Sequence, residues 1–320
     1  MSGVSVVIPT RDRAALLETT LRSVLWQDDV DLEVIVVDDG SRDATAEVVA
    51  AAGDSRVTLV RRDEPHGPPA ARNLGAGRAS GEWVGFVDDD DVWAPDKLAR
   101  QLGAADAADR GWVYVGAVAV SESLAIVSGD PPPSPEAVMA VLPRSNPVPG
   151  GGSNVILRRD LFERVGGFDE RLAPCEDWEL WARLTRHGAP AAVPEPLIGY
   201  RLHGGAVSLD VEGIVRAARA IERLHRTSID WGTVHRWLAE TCLRNDRHLE
   251  ALGHFGRAAV RGQAAGVASD LADIVRRRVA RLTGPRSDAG RATGWAAGAS
   301  PWLSELEPSS TSGSGEHRGS

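Results

Sequence analysis

Four consecutive carboxylates, Asp88-Asp89-Asp90-Asp91, follow the apolar run Trp83–Val87. Held this close they repel one another strongly, and a divalent cation would neutralise them. Carboxylate oxygens suit Mg²⁺ or Mn²⁺, and Mg²⁺ commonly takes one or two carboxylates together with substrate phosphates. A solvated acidic turn is the plainer alternative, but Trp93, Pro95 and Leu98 follow at once, so the loop runs into packed structure. Gly150-Gly151-Gly152-Ser153 precedes a strand-like segment. Lacking Cβ atoms, these glycines would let backbone amides approach a ligand closely, or would serve as the hinge of a lid. Trp178 and Trp181, three apart, share a helix face and could stack on a ligand, although core aromatics give the same spacing. Glu176-Asp177 opens that helix, where the dipole modestly favours the ionised form.

The elements that must position these groups follow from hydrophobic period. Val4–Ile8, Leu32–Val37, Val57–Val60 and Trp83–Val87 are short apolar runs, alternating with helical patterns over 14–27, 45–52 and 70–79. Strand and helix alternating at this pitch predict an α/β fold, a mostly parallel sheet flanked by helices. Ligands of such sheets bind beyond the carboxyl ends of the strands, where the polar loops after Ile8, Val37 and Val87 lie. Further on, a helix is expected over 94–110, strands over 112–120, 153–158 and 194–202, and helices over 160–165 and 177–187. Residues 129–152, rich in Pro and Gly, are expected to loop around one short helix, 134–142. From 211 to 282 the pattern is helical. Within it Leu238, Ala239, Cys242, Ala251, Phe255 and Ala258 resemble the core positions of one tetratricopeptide unit, and the reading adopted is an ordinary helical hairpin packed on the rest. The expected organisation is a catalytic domain over 1–210, a helical extension over 211–283 and a tail over 284–320. The tail is mostly Gly, Ser, Ala and Pro, a composition expected to stay disordered, and its Trp295 and Trp302 are assigned to contact with a partner or a membrane surface.

Composition removes several function classes. The chain has 320 residues, with 36 Lys and Arg against 45 Asp and Glu, a net charge of −9. That balance argues against a nucleic-acid surface. No apolar run reaches 18 residues, so no transmembrane helix is expected, and the N-terminus lacks the basic start and apolar stretch of a secretory leader. Two cysteines, Cys175 and Cys242, make neither a disulfide framework nor a four-cysteine zinc site. A reducing cytoplasm is the simplest compartment.

Seven segments then occur in a familiar order. They are Val4-Ser5-Val6-Val7-Ile8-Pro9-Thr10; Val36-Val37-Asp38-Asp39-Gly40-Ser41; Ala71-Arg72-Asn73 with Gly75; Gly81-Glu82-Trp83-Val84 with Phe86-Val87 and the four aspartates; Gly166-Gly167-Phe168-Asp169-Glu170; Glu176-Asp177; and Tyr200-Arg201-Leu202-His203. Across 4–205 the chain resembles family-2 glycosyltransferases of the GT-A fold, and the region from 211 onward lies outside that resemblance. The resemblance implies that Asp39 accepts a hydrogen bond from a uracil-type base, in a pocket lined by Pro9 and Thr10, and that Arg72 contacts the nucleotide. Asp88, Asp89 and Asp90 match the Asp-x-Asp region, with Asp90 on the metal and Asp88 and Asp89 near the ribose and the metal shell. His203, with Arg201, matches a motif that closes over the diphosphate or the metal; a surface-loop histidine is its plainer alternative. Asp177 matches the catalytic base, with Glu176 as runner-up.

The implied reaction is an inverting single displacement from a nucleoside diphosphate sugar to an acceptor hydroxyl, assisted by Mn²⁺ or Mg²⁺. Uridine is the expected base, with thymine and guanine left open. The donor sugar and the acceptor, whether a carbohydrate, a lipid-linked glycan or a natural product, are not specified. An inactive binding or scaffold protein of the same fold is the alternative, against which intact Asp39, Asp90 and Asp177 argue. An Asp-nucleophile phosphohydrolase could use Asp88-x-Asp90, but that family carries its motif after the first strand.

Overall fold

A strand covered on both faces needs an unbroken apolar run; three of the four runs read that way lie inside one sheet, and Val57–Val60 forms its edge. The computed structural model describes residues 3–203, 210–283 and 294–306. Strands β1 (Val4–Thr10), β2 (Leu32–Asp38), β3 (Val57–Arg61) and β4 (Trp83–Phe86) pair in parallel in the order β3-β2-β1-β4. Helices α1 (Ala14–Leu25), α2 (Thr45–Ala51) and α3 (Pro68–Ala76) make the crossovers. Val4 lies opposite both Leu32 and Trp83, so the loops after Thr10, Asp38 and Phe86 leave from the same edge. Side chains alternate across β1: Val4, Val6 and Ile8 join one buried cluster and Val7 the other.

The second half of the sheet is mixed. It contains β5 (Val92–Trp93), β6 (Trp112–Val120), β7 (Ile126–Ser128), β8 (Ile156–Arg158) and β9 (Ala191–Arg201). The order continues β4-β8-β6-β9-β5, with β7 on β6. Only β6 and β9 run parallel; β8 is antiparallel to both its neighbours and β5 to β9. The helix expected from residue 94 starts later, as α4 (Lys97–Ala108). Pairing of Val92 and Trp93 with Gly199 and Ile198 holds the preceding chain extended, and Pro95 stays in the loop. The Pro- and Gly-rich loop carries α5 (Pro135–Val141), and α6 (Arg159–Val165) and α7 (Glu176–Leu184) follow.

Helices α8 (Val211–His225), α9 (Trp231–Arg244), α10 (His248–Ala258) and α11 (Ala264–Thr283) come next. Asp210 and Asp230 cap the first two by accepting from backbone N–H groups of the opening turn. The six positions read as a helical hairpin are all buried. One buried cluster runs from Val7 in β1 to Ala251 in α10, so the helices share the core beneath the sheet.

The expectation of a disordered tail needs correction over 294–306. A 3₁₀ turn, Ala296–Ala299, leads into α12 (Ser300–Leu306), where Trp302, Leu303 and Leu306 are buried. Trp295 donates Nε1–H to the carbonyl of Pro194 at 2.7 Å, and Trp302 to that of Pro196 at 3.2 Å. A Cβ on Gly116 would stand 2.4 Å from the Trp295 ring, so that glycine makes room for the indole. The two tryptophans assigned to an outside contact therefore pack on this chain's own sheet. The remainder of the expected tail, 284–293 and 307–320, lies outside the described residues. Among the described residues no helix is long and apolar enough to cross a membrane.

Candidate active site

The carboxylate run leaves the end of β4 as a tight turn, in which Asp91 N–H donates to the Asp88 carbonyl at 3.2 Å. Its four identical side chains face different partners. Asp91 is fully buried, accepts from Ser153 Oγ at 2.5 Å and from the backbone N–H of Arg201 at 3.0 Å, and so ties the turn after β4 to the 3₁₀ turn Gly151–Ser153 and to β9. Burial, then Asp90 and Asp88, hold its pKa well above the usual carboxylate range. Asp89 accepts from Thr10 Oγ1 at 2.7 Å and from Arg13 Nη1 at 3.1 Å. Burial and the Asp90 charge push its pKa up to about 6 against the pull of Arg13. Asp90 is held by Arg13 Nη1 at 2.9 Å and lies 2.7 Å from His203 Nε2.

Asp88, Asp90 and Asp91 each turn an oxygen into one small space, with all three oxygens within 4.8 Å of one another. Hard oxygen donors crowded this closely fit a divalent cation. Asp91 was not among the residues singled out for a metal, and its Ser153 and Arg201 partners make it a structural anchor as well. Arg13 was also missed. Its one signal was a cation at the start of α1, where the helix dipole disfavours it unless an anion is near.

Arg72, on α3, crosses the floor of the site. It donates Nη1–H to Glu176 Oε1 at 2.5 Å and Nη2–H to Asp88, and its Nε–H has no partner among the described residues. The two carboxylates hold it firmly protonated despite burial. It thereby links the aspartate run to the helix that carries Asp177. Gly152 packs against this guanidinium: a Cβ there would be 3.4 Å from Nη2. Gly150 and Gly151 have φ of +69° and +56°, a region that favours glycine.

Asp177 sits in the first turn of α7, half-buried, and accepts from Asn146 Nδ2 at 3.3 Å. Burial, then the charge of Glu176, lifts its pKa to about 7, with the Trp178 backbone N–H and Arg72 pulling the other way. A carboxylate with that pKa is suited to taking a proton near neutrality. Asn146 lies in a loop with no spacing signal and was not anticipated. Trp178 lines the cleft but is only 1% exposed, and its Nε1–H donates to the Pro143 carbonyl at 3.1 Å. Its ring is wall rather than a free stacking face, and Trp181 is fully buried.

At the other end Asp39 accepts from the backbone N–H groups of His66 at 2.9 Å and Gly67 at 2.7 Å, and from Arg62 at 3.4 Å. Pro9 and Thr10 lie beside it in the same cleft of about 580 Å³. Arg201 is buried in the wall with Nε and Nη2 unpartnered among the described residues. Of the fourteen residues expected at the site, thirteen line this one cleft, and His203 touches it through Asp90. Trp237 and Arg244 of α9, not anticipated, complete the lining.

Residues 5–166 match Glycosyl transferase family 2, and residues 139–233 match Glycosyltransferase like family 2. The chain is 37% identical over 217 residues to the succinoglycan biosynthesis protein ExoO of Rhizobium meliloti, covering 62% of this chain and 60% of ExoO's length. It is 43% identical over 118 residues to a GalNAc(5)-diNAcBac-PP-undecaprenol beta-1,3-glucosyltransferase of Campylobacter jejuni, covering 36% and 37%. Among solved structures, S. aureus TarS 1–349 with UDP-GlcNAc superposes with a TM-score of 0.57 at 19% identity, covering 76% of this chain and 72% of that one. The Pyrobaculum calidifontis mannosyltransferase PcManGT, solved with GDP-Man and Mn²⁺, superposes with 0.52 at 22% identity, covering 85% and 80%. The sheet of nine strands, its polar edge and the matched span agree: the chain belongs to glycosyltransferase family 2 and has the GT-A fold.

Proposed function

We propose that the chain moves a sugar from a nucleoside diphosphate sugar, with uracil as the base, to an acceptor hydroxyl in one inverting displacement. The observation that carries this reading is a half-buried carboxylate, Asp177, with pKa raised to about 7, sharing one cleft with a separate acidic cluster and bridged to it through Glu176 and Arg72. In this reading Asp39 accepts the imide N–H of the base beside Pro9 and Thr10. Arg201 supplies two unpartnered N–H groups to the diphosphate. Asp88 and Asp90 would hold a divalent cation, with His203 alongside. When bound there, Mn²⁺ or Mg²⁺ would neutralise charge growing on the diphosphate as it leaves. Asp177 takes the acceptor proton as the oxygen attacks, Asn146 fixes the carboxylate's orientation, and Glu176 is held by Arg72. Neighbours solved with UDP-GlcNAc and with GDP-Man and Mn²⁺ support a nucleotide sugar and a cation. The undecaprenol-linked substrate in one relative's name supports a glycan acceptor, lipid-linked in that case.

A melting-temperature panel of nucleoside diphosphates, each with Mn²⁺ and with EDTA, tests the donor half. Uridine diphosphate should stabilise most, only with the cation, and Asp39→Ala should remove its advantage. A larger shift from guanosine diphosphate would overturn the base assignment, and equal shifts in EDTA would overturn the cation.

A further inference from the structure

The sheet-edge loops leave one side of the cleft to be closed by α9. From this helix Trp237 and Arg244 line the cleft, and both lie beyond the family matches, which end at residue 233. Seven residues apart, they stand two turns along one helix face, roughly 10 Å between their backbones. Trp237 is half-buried against the core beneath the sheet. Arg244 is exposed, and its ion pair with Glu240 spans 3.9 Å, a weak surface contact.

The segment entering α9 is tied to the loop that orients Asp177. Asp230 N–H donates to the Arg144 carbonyl at 2.9 Å, and Arg144 Nε–H to the Ser228 carbonyl at 3.3 Å. Two residues further along that loop, Asn146 donates to Asp177. The helix therefore borders the end of the cleft where an acceptor hydroxyl would meet Asp177.

We propose that Trp237 and Arg244 form an acceptor subsite, the indole taking the apolar face of a sugar ring and the guanidinium an anionic group on the acceptor, phosphoryl or carboxylate. The inference rests on the glycosyl-transfer reading above. A planar guanidinium fork matches either oxyanion in a bidentate way. The same end of the cleft carries two carboxylates, Asp177 and the Arg72-paired Glu176, and an anionic acceptor meeting Asp177 would be favoured by a cation at the rim. Among the side chains described over 211–275, nine arginines stand against seven carboxylates, in a chain whose net charge is −9.

The test is calorimetric titration of the full chain loaded with UDP and Mn²⁺. The probes are methyl glycosides, methyl uronides and methyl diphosphate esters of glucose and galactose. At least one anionic probe should bind about tenfold or more tighter than its neutral partner, the scale of a charge-assisted pair. Arg244→Ala should abolish that preference and Arg244→Lys should keep part of it. Trp237→Ala should weaken every probe that binds, with Trp237→Phe restoring most of the loss. Tighter uronide binding points to an acidic sugar, and tighter diphosphate binding to a phosphoryl-linked carrier. Equal binding of neutral and anionic probes by the wild type, absence of binding by all of them, or a preference that survives Arg244→Ala would overturn the subsite. Failure to bind UDP would instead overturn the reading on which it rests.

Discussion

Asp177 meets two opposed demands. A base must be ionised to accept a proton, yet burial and the neighbouring Glu176 raise its pKa to about 7. Transfer should therefore rise with pH through about 7, as measured by the pH dependence of kcat/KM, and Asp177→Asn should lose that limb. The same shift bears on stability. The native state holds this proton to a higher pH than the unfolded chain, whose value is 3.8. The cost of ionised Asp177 is thus complete above about pH 7, shrinks as pH falls, and is gone below the unfolded value. Asp177→Asn should raise the melting temperature at pH 8 and leave it unchanged near pH 4; a gain that did not grow with pH would contradict this origin. Asp39, Asp90 and Asp177 could be read from the sequence because each lies in a short ordered motif. The division of labour among Asp88 to Asp91 could not, since four identical residues are distinguished only by Arg72, Arg13, Ser153 and Arg201 arriving from elsewhere in the chain. Asn146 and Arg13 are single polar residues without a spacing pattern, and only the folded chain brings them to carboxylates.

Among the elements, long apolar runs and strong helical periods were legible, and short pieces were not. β5 has two residues and β7 three, too few to show a period. Their existence depends on partners in β9 and β6. The stretch 294–306 misled for a related reason. It is embedded in a tail, 284–320, that is mostly Gly, Ser, Ala and Pro, but Trp295 and Trp302 reach carbonyls of β9, and Gly116 and Gly199 leave room for the side chains that dock there. Truncation after Thr283 should therefore lower the melting temperature by several degrees. Trp302→Ala alone should cost about 3 kcal/mol in chemical denaturation, the usual scale for removing a buried aromatic. Melting unchanged by truncation would mean that this segment contributes nothing to the fold. Gly116→Ala should produce a similar loss by driving a methyl group into the Trp295 indole.

For the whole molecule, acid-rich loops collect at one sheet edge, and α9 closes one side of the cleft that they border. The acidic half should require a cation: Asp90→Ala, like EDTA, should abolish turnover and weaken UDP binding measured by calorimetry. The claim on which the account stands is that nucleotide binding and proton transfer belong to separate residues of one cleft. The direct measurement is UDP affinity beside transfer rate, or donor hydrolysis in place of an unidentified acceptor, for Asp177→Asn and Glu176→Gln with Mn²⁺. The account predicts that Asp177→Asn keeps UDP affinity within about twofold while turnover falls by on the order of 10²–10⁴, the usual worth of a general base, with a smaller loss for Glu176→Gln. Turnover within a few-fold of wild type in Asp177→Asn, with UDP still bound, would contradict it.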